Sequence, residues 1–161
     1  MSEVITPELA TELQRIGIFV VLIILVIWAF FAYTIRNTLL LIAEENRCIQ
    51  PGQSWLLVIP LFNVYWNFEV ARRLSNSLNN EFFDRKIAVE VNPGLGIGLT
   101  YAWSFLIYYF PFPLFWKMLA MIVSFVYFIS YWYKINQFRE LLIEHNKFLE
   151  SEKNKEKTNE D

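Results

Sequence analysis

The chain has one cysteine and one histidine in 161 residues. Cys48 alone can form no internal disulfide and no thiolate cluster for a metal. His145 has no His-Glu-x-x-His partner, and neither a Ser/His/Asp set nor a pair of carboxylates inside an apolar stretch occurs. Gly94, Gly96 and Gly98 form a G-x-G-x-G run, but it lacks the Lys-Ser/Thr of a phosphate loop and the strand before a dinucleotide fingerprint. Close approach of helices explains it better, because small residues let backbones meet in lipid. Nor is basic charge in excess: the formal net charge is −2, which argues against nucleic acid as a partner. No catalytic residue, metal or cofactor is assigned, and the expectation is a protein that is not an enzyme.

Apolar residues dominate instead, at 55% of the chain, with 18% aromatic. Ile16 to Ile35, IGIFVVLIILVIWAFFAYTI, holds no charge. At about 1.5 Å per residue such a helix covers the roughly 30 Å hydrocarbon core of a bilayer. Glu3, Glu8 and Glu12 precede it against one Arg15, the reverse of a basic signal-peptide lead, so it reads as an uncleaved first span.

Two further spans are predicted at about 95–110 and 114–133. Only Pro111-Phe112-Pro113 separates them, which makes a tight antiparallel hairpin. A weaker segment, about 54–71, carries Pro60, Asn63 and Asn67 and ends at Glu69, Arg72 and Arg73. Pro60 removes a backbone hydrogen bond and kinks a helix. The segment is assigned as a fourth span, with a re-entrant or interfacial helix as the competing reading. The predicted fold is therefore all-α: a polytopic four-helix transmembrane bundle with amphipathic cytoplasmic helical extensions, as one domain over residues 1–149.

Val70, Leu74, Leu78 and Phe82 recur every four residues, so about 72–83 reads as a surface helix. A helical stripe through Ile135, Phe138 and Leu142 extends the last span over 134–149. Leu74, Leu78, Phe82, Phe138 and Leu142 are the candidate partner or membrane surface. Residues 150–161 contain no apolar residue and are expected to be disordered.

With four spans, eleven Lys and Arg fall on the side of both termini, and Arg36, Arg47 and Lys117 on the other. The positive-inside rule then puts both termini in the cytoplasm. If segment 54–71 fails to cross, an N-out, C-in protein scores equally well.

Polar groups in a bilayer need a reason, since a charge at a helix centre costs about 2.5–3.5 kcal/mol on insertion scales. Asn63 and Asn67 share one face, while Ser124, Tyr127 and Tyr131 continue a stripe on the last span with Lys117 and Lys134. One reading is a polar path or small-solute site beside a kinked helix. The other is interhelical hydrogen bonding, typically about 0.6 kcal/mol per bond in the membrane. Tyrosine hydroxyls would donate to amide oxygens across this seam, and Lys117 would snorkel to the interface.

Trp55, Pro60-Leu61-Phe62-Asn63, Trp66-Asn67-Phe68, Leu74 to Phe82, Pro93-Gly94 with Gly96, and Tyr131-Trp132-Tyr133-Lys134-Ile135 resemble a group of uncharacterised bacterial multi-pass membrane proteins, a domain-of-unknown-function class. The resemblance covers roughly Glu45 to Leu142. It implies a bacterial inner-membrane address and carries over no activity. The expected function is an accessory or assembly subunit that meets a protein partner through its cytoplasmic amphipathic helices, with the lipid bilayer around it. The alternative is a homo-oligomeric transporter or channel subunit using the Asn63/Asn67 and Ser124/Tyr127/Tyr131 faces.

Overall fold

The computed structural model describes residues 7–160, with side chains described to residue 157. The first six residues of the expected polar lead and Asp161 of the expected tail lie outside the described residues. The elements are α1 (Pro7–Leu40), a 3-10 turn (Glu44–Asn46), a 3-10 helix (Pro51–Val58), α2 (Phe62–Asp84), α3 (Leu95–Tyr109) and α4 (Leu114–Glu160). The described residues are all-helical, without a strand. Two helices, α1 and α4, are long and apolar enough to cross a membrane.

Side-chain contacts show how the helices run. Phe31 of α1 packs edge-on against Phe128 and Tyr131 of α4, with ring centroids 5.1 and 5.9 Å apart. Further along both helices, the Trp132 indole N–H donates to Thr34 Oγ1 at 3.0 Å. Arg85 then bridges the Leu41 carbonyl and Asn146 Oδ1. Residue number thus rises together along α1 and α4, and the two run parallel. α2 runs the same way, since Ala71 meets Gly98 beside Tyr131 while Phe82 meets Phe138 further on. α3 alone is antiparallel, forming the expected hairpin with α4. The start of α1 and the end of α4 therefore lie at opposite ends of the molecule. The placement of both termini on one side rests on segment 54–71 being a fourth crossing.

That segment is not one helix. Pro51 starts a 3-10 helix whose first turn is closed by the Gln53 side chain accepting from Gln50 N–H at 3.2 Å and by Ser54 Oγ donating to the Pro51 carbonyl at 2.7 Å. Pro60 then stops it. Proline lacks an N–H and pushes the residue before it out of the helical region, and Ile59 is extended at φ −77, ψ 114. Leu61 turns the chain with φ +66, and α2 begins at Phe62. Instead of the expected kink there is a full break. The 3-10 helix packs along α1, and α2 returns beside it. The chain therefore reverses at Pro60–Leu61 and does not run on as one helix.

α2 continues without interruption through 72–83, and this stretch is no surface helix. Leu74, Leu78, Phe82, Phe138 and Leu142 are all buried within the chain, around Ile35, Leu39, Ile42 and Ile49. The stripe proposed as a partner or membrane surface is the molecule's own core, because the parallel ends of α1, α2 and α4 converge on it. Past Leu142, α4 remains helical to Glu160, where composition suggests a disordered tail. Glu and Lys are good helix formers, and Glu150/Lys153 and Glu152/Lys155 fall at the i, i+3 spacing that supports an exposed helix.

Burial is uneven. Every residue from 7 to 24 of α1 is exposed, as are residues 107–116 at the hairpin tip. Residues 16–24 and 107–116 of these stretches hold no charge.

Candidate functional site

Two polar constellations lie inside the bundle. The first is the seam expected at Asn63 and Asn67. The re-entrant turn delivers both side chains inward: Asn63 is 1% exposed and Asn67 is buried. Asn67 lies beside the Tyr101 hydroxyl, so the tyrosine it meets is on α3. Among the described residues, Asn63 Oδ1 is buried without a hydrogen-bond partner. Ser124 and Tyr131 are buried and Tyr127 is half-buried, as a seam requires. Tyr131 is taken up by packing, however. Its ring lies against Phe31 and under Gly98, where a Cβ would approach it and Ala71 to 2.9 Å. The only residue type that fits there is glycine, so Gly98 is the close-approach point in the G-x-G-x-G run. Trp132 and Thr34 supply the hydrogen bond that joins α1 to α4. The structure thus brings Asn67 and Tyr131 onto α3, at Tyr101 and Gly98 respectively.

The second constellation is centred on Glu81, 2% exposed, at the end where α1 and α2 finish. Glu81 Oε2 accepts from the Ala43 N–H and from Asn46 Nδ2, both at 2.9 Å. Its other oxygen accepts from Arg85 Nε at 2.7 Å and pairs with Nη2 at 2.6 Å. Arg85 Nη2 also donates to the Leu41 carbonyl at 2.9 Å, and Nη1 to Asn146 Oδ1 at 2.6 Å. Asn46 Nδ2 reaches Asp84 Oδ2 as well, at 2.8 Å. One carboxylate and one guanidinium therefore tie the end of α1, the end of α2 and the middle of α4. Nearby, Ser77 Oγ accepts from Cys48 N–H and donates to the Arg73 carbonyl, which holds the loop after α1 against α2. Sequence reasoning missed this latch. Its signal was present: Glu81 stands three residues after Leu78 and one before Phe82, on the apolar face, with Arg85 four residues on.

Both Glu81 carboxylate oxygens and all three Arg85 guanidinium nitrogens are engaged within the chain. A saturated pair of this kind positions backbone and does not offer a proton or a free ligand. Outside the core, an open groove of about 420 Å³ runs between Val89–Glu90 and α4. In it Lys134 Nζ lies 3.5 Å from Glu90 Oε1 and 5.3 Å from the Phe138 ring centre. Among the described residues there is no group of three or more His, Cys, Asp or Glu that could hold a metal ion. No protein-family model, curated protein or solved structure matches the chain.

Proposed function

We propose that the protein is a non-enzymatic, multi-pass membrane protein that serves as an accessory or assembly subunit, with a bacterial inner-membrane address implied by its resemblance to the uncharacterised multi-pass proteins. The observation that carries this reading is the projection of α4. Its last buried apolar residue is Leu142, yet the helix runs on to Glu160 with Phe148 and Leu149 exposed. A helical stretch of that length is marginal in water without something to pack against. The protein partner therefore meets the projecting turns of α4, and not the Leu74/Leu78/Phe82 stripe, which is consumed internally. The saturated latch and the aromatic packing of the seam support a scaffold over a reaction centre or an open solute path.

Truncation after Lys147 tests this. It leaves Asn146 in the latch and removes only the projection. Co-purifying protein should be lost at unchanged thermal stability of the purified chain. Retention of every co-purifying protein by the truncated chain would refute the reading.

A further inference from the structure

The surface that meets lipid, and the way it faces, follow from the helix directions if the chain is the integral membrane protein just proposed. We infer that it crosses the bilayer three times, with the start of α1 and the α3–α4 hairpin on the outer side. Residues 51–84 then enter and leave on the inner side, with the C-terminus.

Three independent observations converge on this. The first is geometric. α1 and α4 are parallel through the Phe31 and Trp132 contacts, so if both cross, they cross in one direction and only α3 returns. The second is connectivity. Glu81 holds Ala43 and Asn46, and Ser77 holds Cys48, so the loop after α1 lies at the end of α2 and not across a membrane from it.

The third is charge. Of the 14 Lys and Arg, only Arg15 and Lys117 are left at the outer end, each beside the edge of an apolar run. Arg36 and Arg47, which a four-span reading strands outside, join the basic side. The distribution is thus more one-sided than with four spans, and it matches an anionic cytosolic leaflet.

The same contacts set the depth of the re-entrant turn. Trp28 of α1 packs against Phe105 of α3, and Phe31 is level with Tyr131 and Gly98. Asn67, beside Tyr101 and next to Phe68, which packs on Trp103, lies between those levels. Asn63 is one helical turn, about 5–6 Å, further outward. The turn at Pro60–Leu61 thus reaches roughly the middle of the Ile16–Ile35 run. Irregular backbone at that depth must satisfy itself or be covered by protein. Phe62 N–H donates to the Pro60 carbonyl, Asn63 N–H to Ile59 and Val64 N–H to Leu61, while the 3-10 helix lies against α1 with Leu57 buried.

The native Cys48, exposed beside Asn80, is the probe. Three crossings put it inside, and four put it outside. In cells carrying the unmodified chain, a membrane-impermeant maleimide should label Cys48 only after permeabilisation. In a Cys48→Ser background, Thr11→Cys and Phe112→Cys should both label in intact cells. Labelling of Cys48 and Phe112→Cys in intact cells with Thr11→Cys protected would overturn the topology and restore four spans. Protection of Thr11→Cys and Phe112→Cys together with labelling of Cys48 would overturn the orientation. Release of the chain from membranes by alkaline carbonate would instead sink the membrane reading itself, whatever the labelling pattern.

Discussion

α1 and α2 invert the usual link between hydropathy and burial. α1 carries the more apolar of the two candidate membrane windows, yet only 11% of that window is buried by the rest of the chain. α2 carries Glu69, Arg72, Arg73, Glu81 and Asp84, and it supplies more of the buried core than any other helix, from Asn63 to Phe82. In water this pattern would be unstable. In a bilayer the acyl chains are as apolar as leucine, so burying α1 against protein gains little. Hydropathy therefore marks the two helices long and apolar enough for a bilayer. Packing is concentrated around α2, where the buried stripe and the Glu81–Arg85 pair lie.

The contrast between the two regions can be broken by substitution, and the largest effect belongs to Glu81. Glu81→Ala leaves the half-buried Arg85 guanidinium without its carboxylate and the Ala43 N–H without its acceptor, at a cost of about 3–5 kcal/mol. Thermal unfolding of the purified chain in detergent should show a steeper fall in Tm than Leu78→Ala, Gly98→Ala or Phe19→Leu produces. A fall no larger than that of a lipid-facing variant would mean the latch is idle.

Next is Leu78→Ala, a cavity in the inner core worth about 2–5 kcal/mol. The loss should appear in the isolated chain with no partner present. Full stability there would return the stripe to a partner's use.

Gly98→Ala sharpens the seam. The added methyl meets Ala71 Cβ and the Tyr131 ring at 2.9 Å, and overpacking of this kind costs about 1–3 kcal/mol. Ala71→Gly in the same chain should recover part of it, a coupling that a denaturation series of the single and double variants would measure.

Phe19→Leu is the control on the other region. Phe19 is exposed on the N-terminal half of α1, and its replacement should leave stability within about 0.5 kcal/mol. A large loss would place protein, not lipid, against that face.

Much of the fold could be read from residue patterns. The Ile16–Ile35 helix, the α3–α4 hairpin around Pro111-Phe112-Pro113 and the helical stripe beyond Tyr133 all follow from local periodicity and proline chemistry. The four-residue spacing of Val70, Leu74, Leu78 and Phe82 correctly signals one apolar helix face. It carries no information on whether that face meets lipid, a partner or the chain itself, because all three reward the same pattern. The break at Pro60 was legible as a disturbance but not as a reversal: a kink and a re-entrant turn share the same missing hydrogen bond. Asn67 was expected to meet tyrosines, and it does, but Tyr101 of α3 takes the place assigned to the α4 stripe.

By itself the sequence determined what is local: which segments are helical, which are apolar enough for a bilayer, and which end carries the basic charge. These depend on hydrogen bonding and solvation along a single stretch of chain. Only the tertiary structure decided that α1 and α4 run parallel, that the amphipathic stripe is core, and that Glu81 joins three helices. Each of those depends on the direction in which the chain returns after Leu40. That direction is set by contacts between residues far apart in sequence, Ala43 and Asn46 with Glu81 above all, whose joint arrangement no single segment encodes.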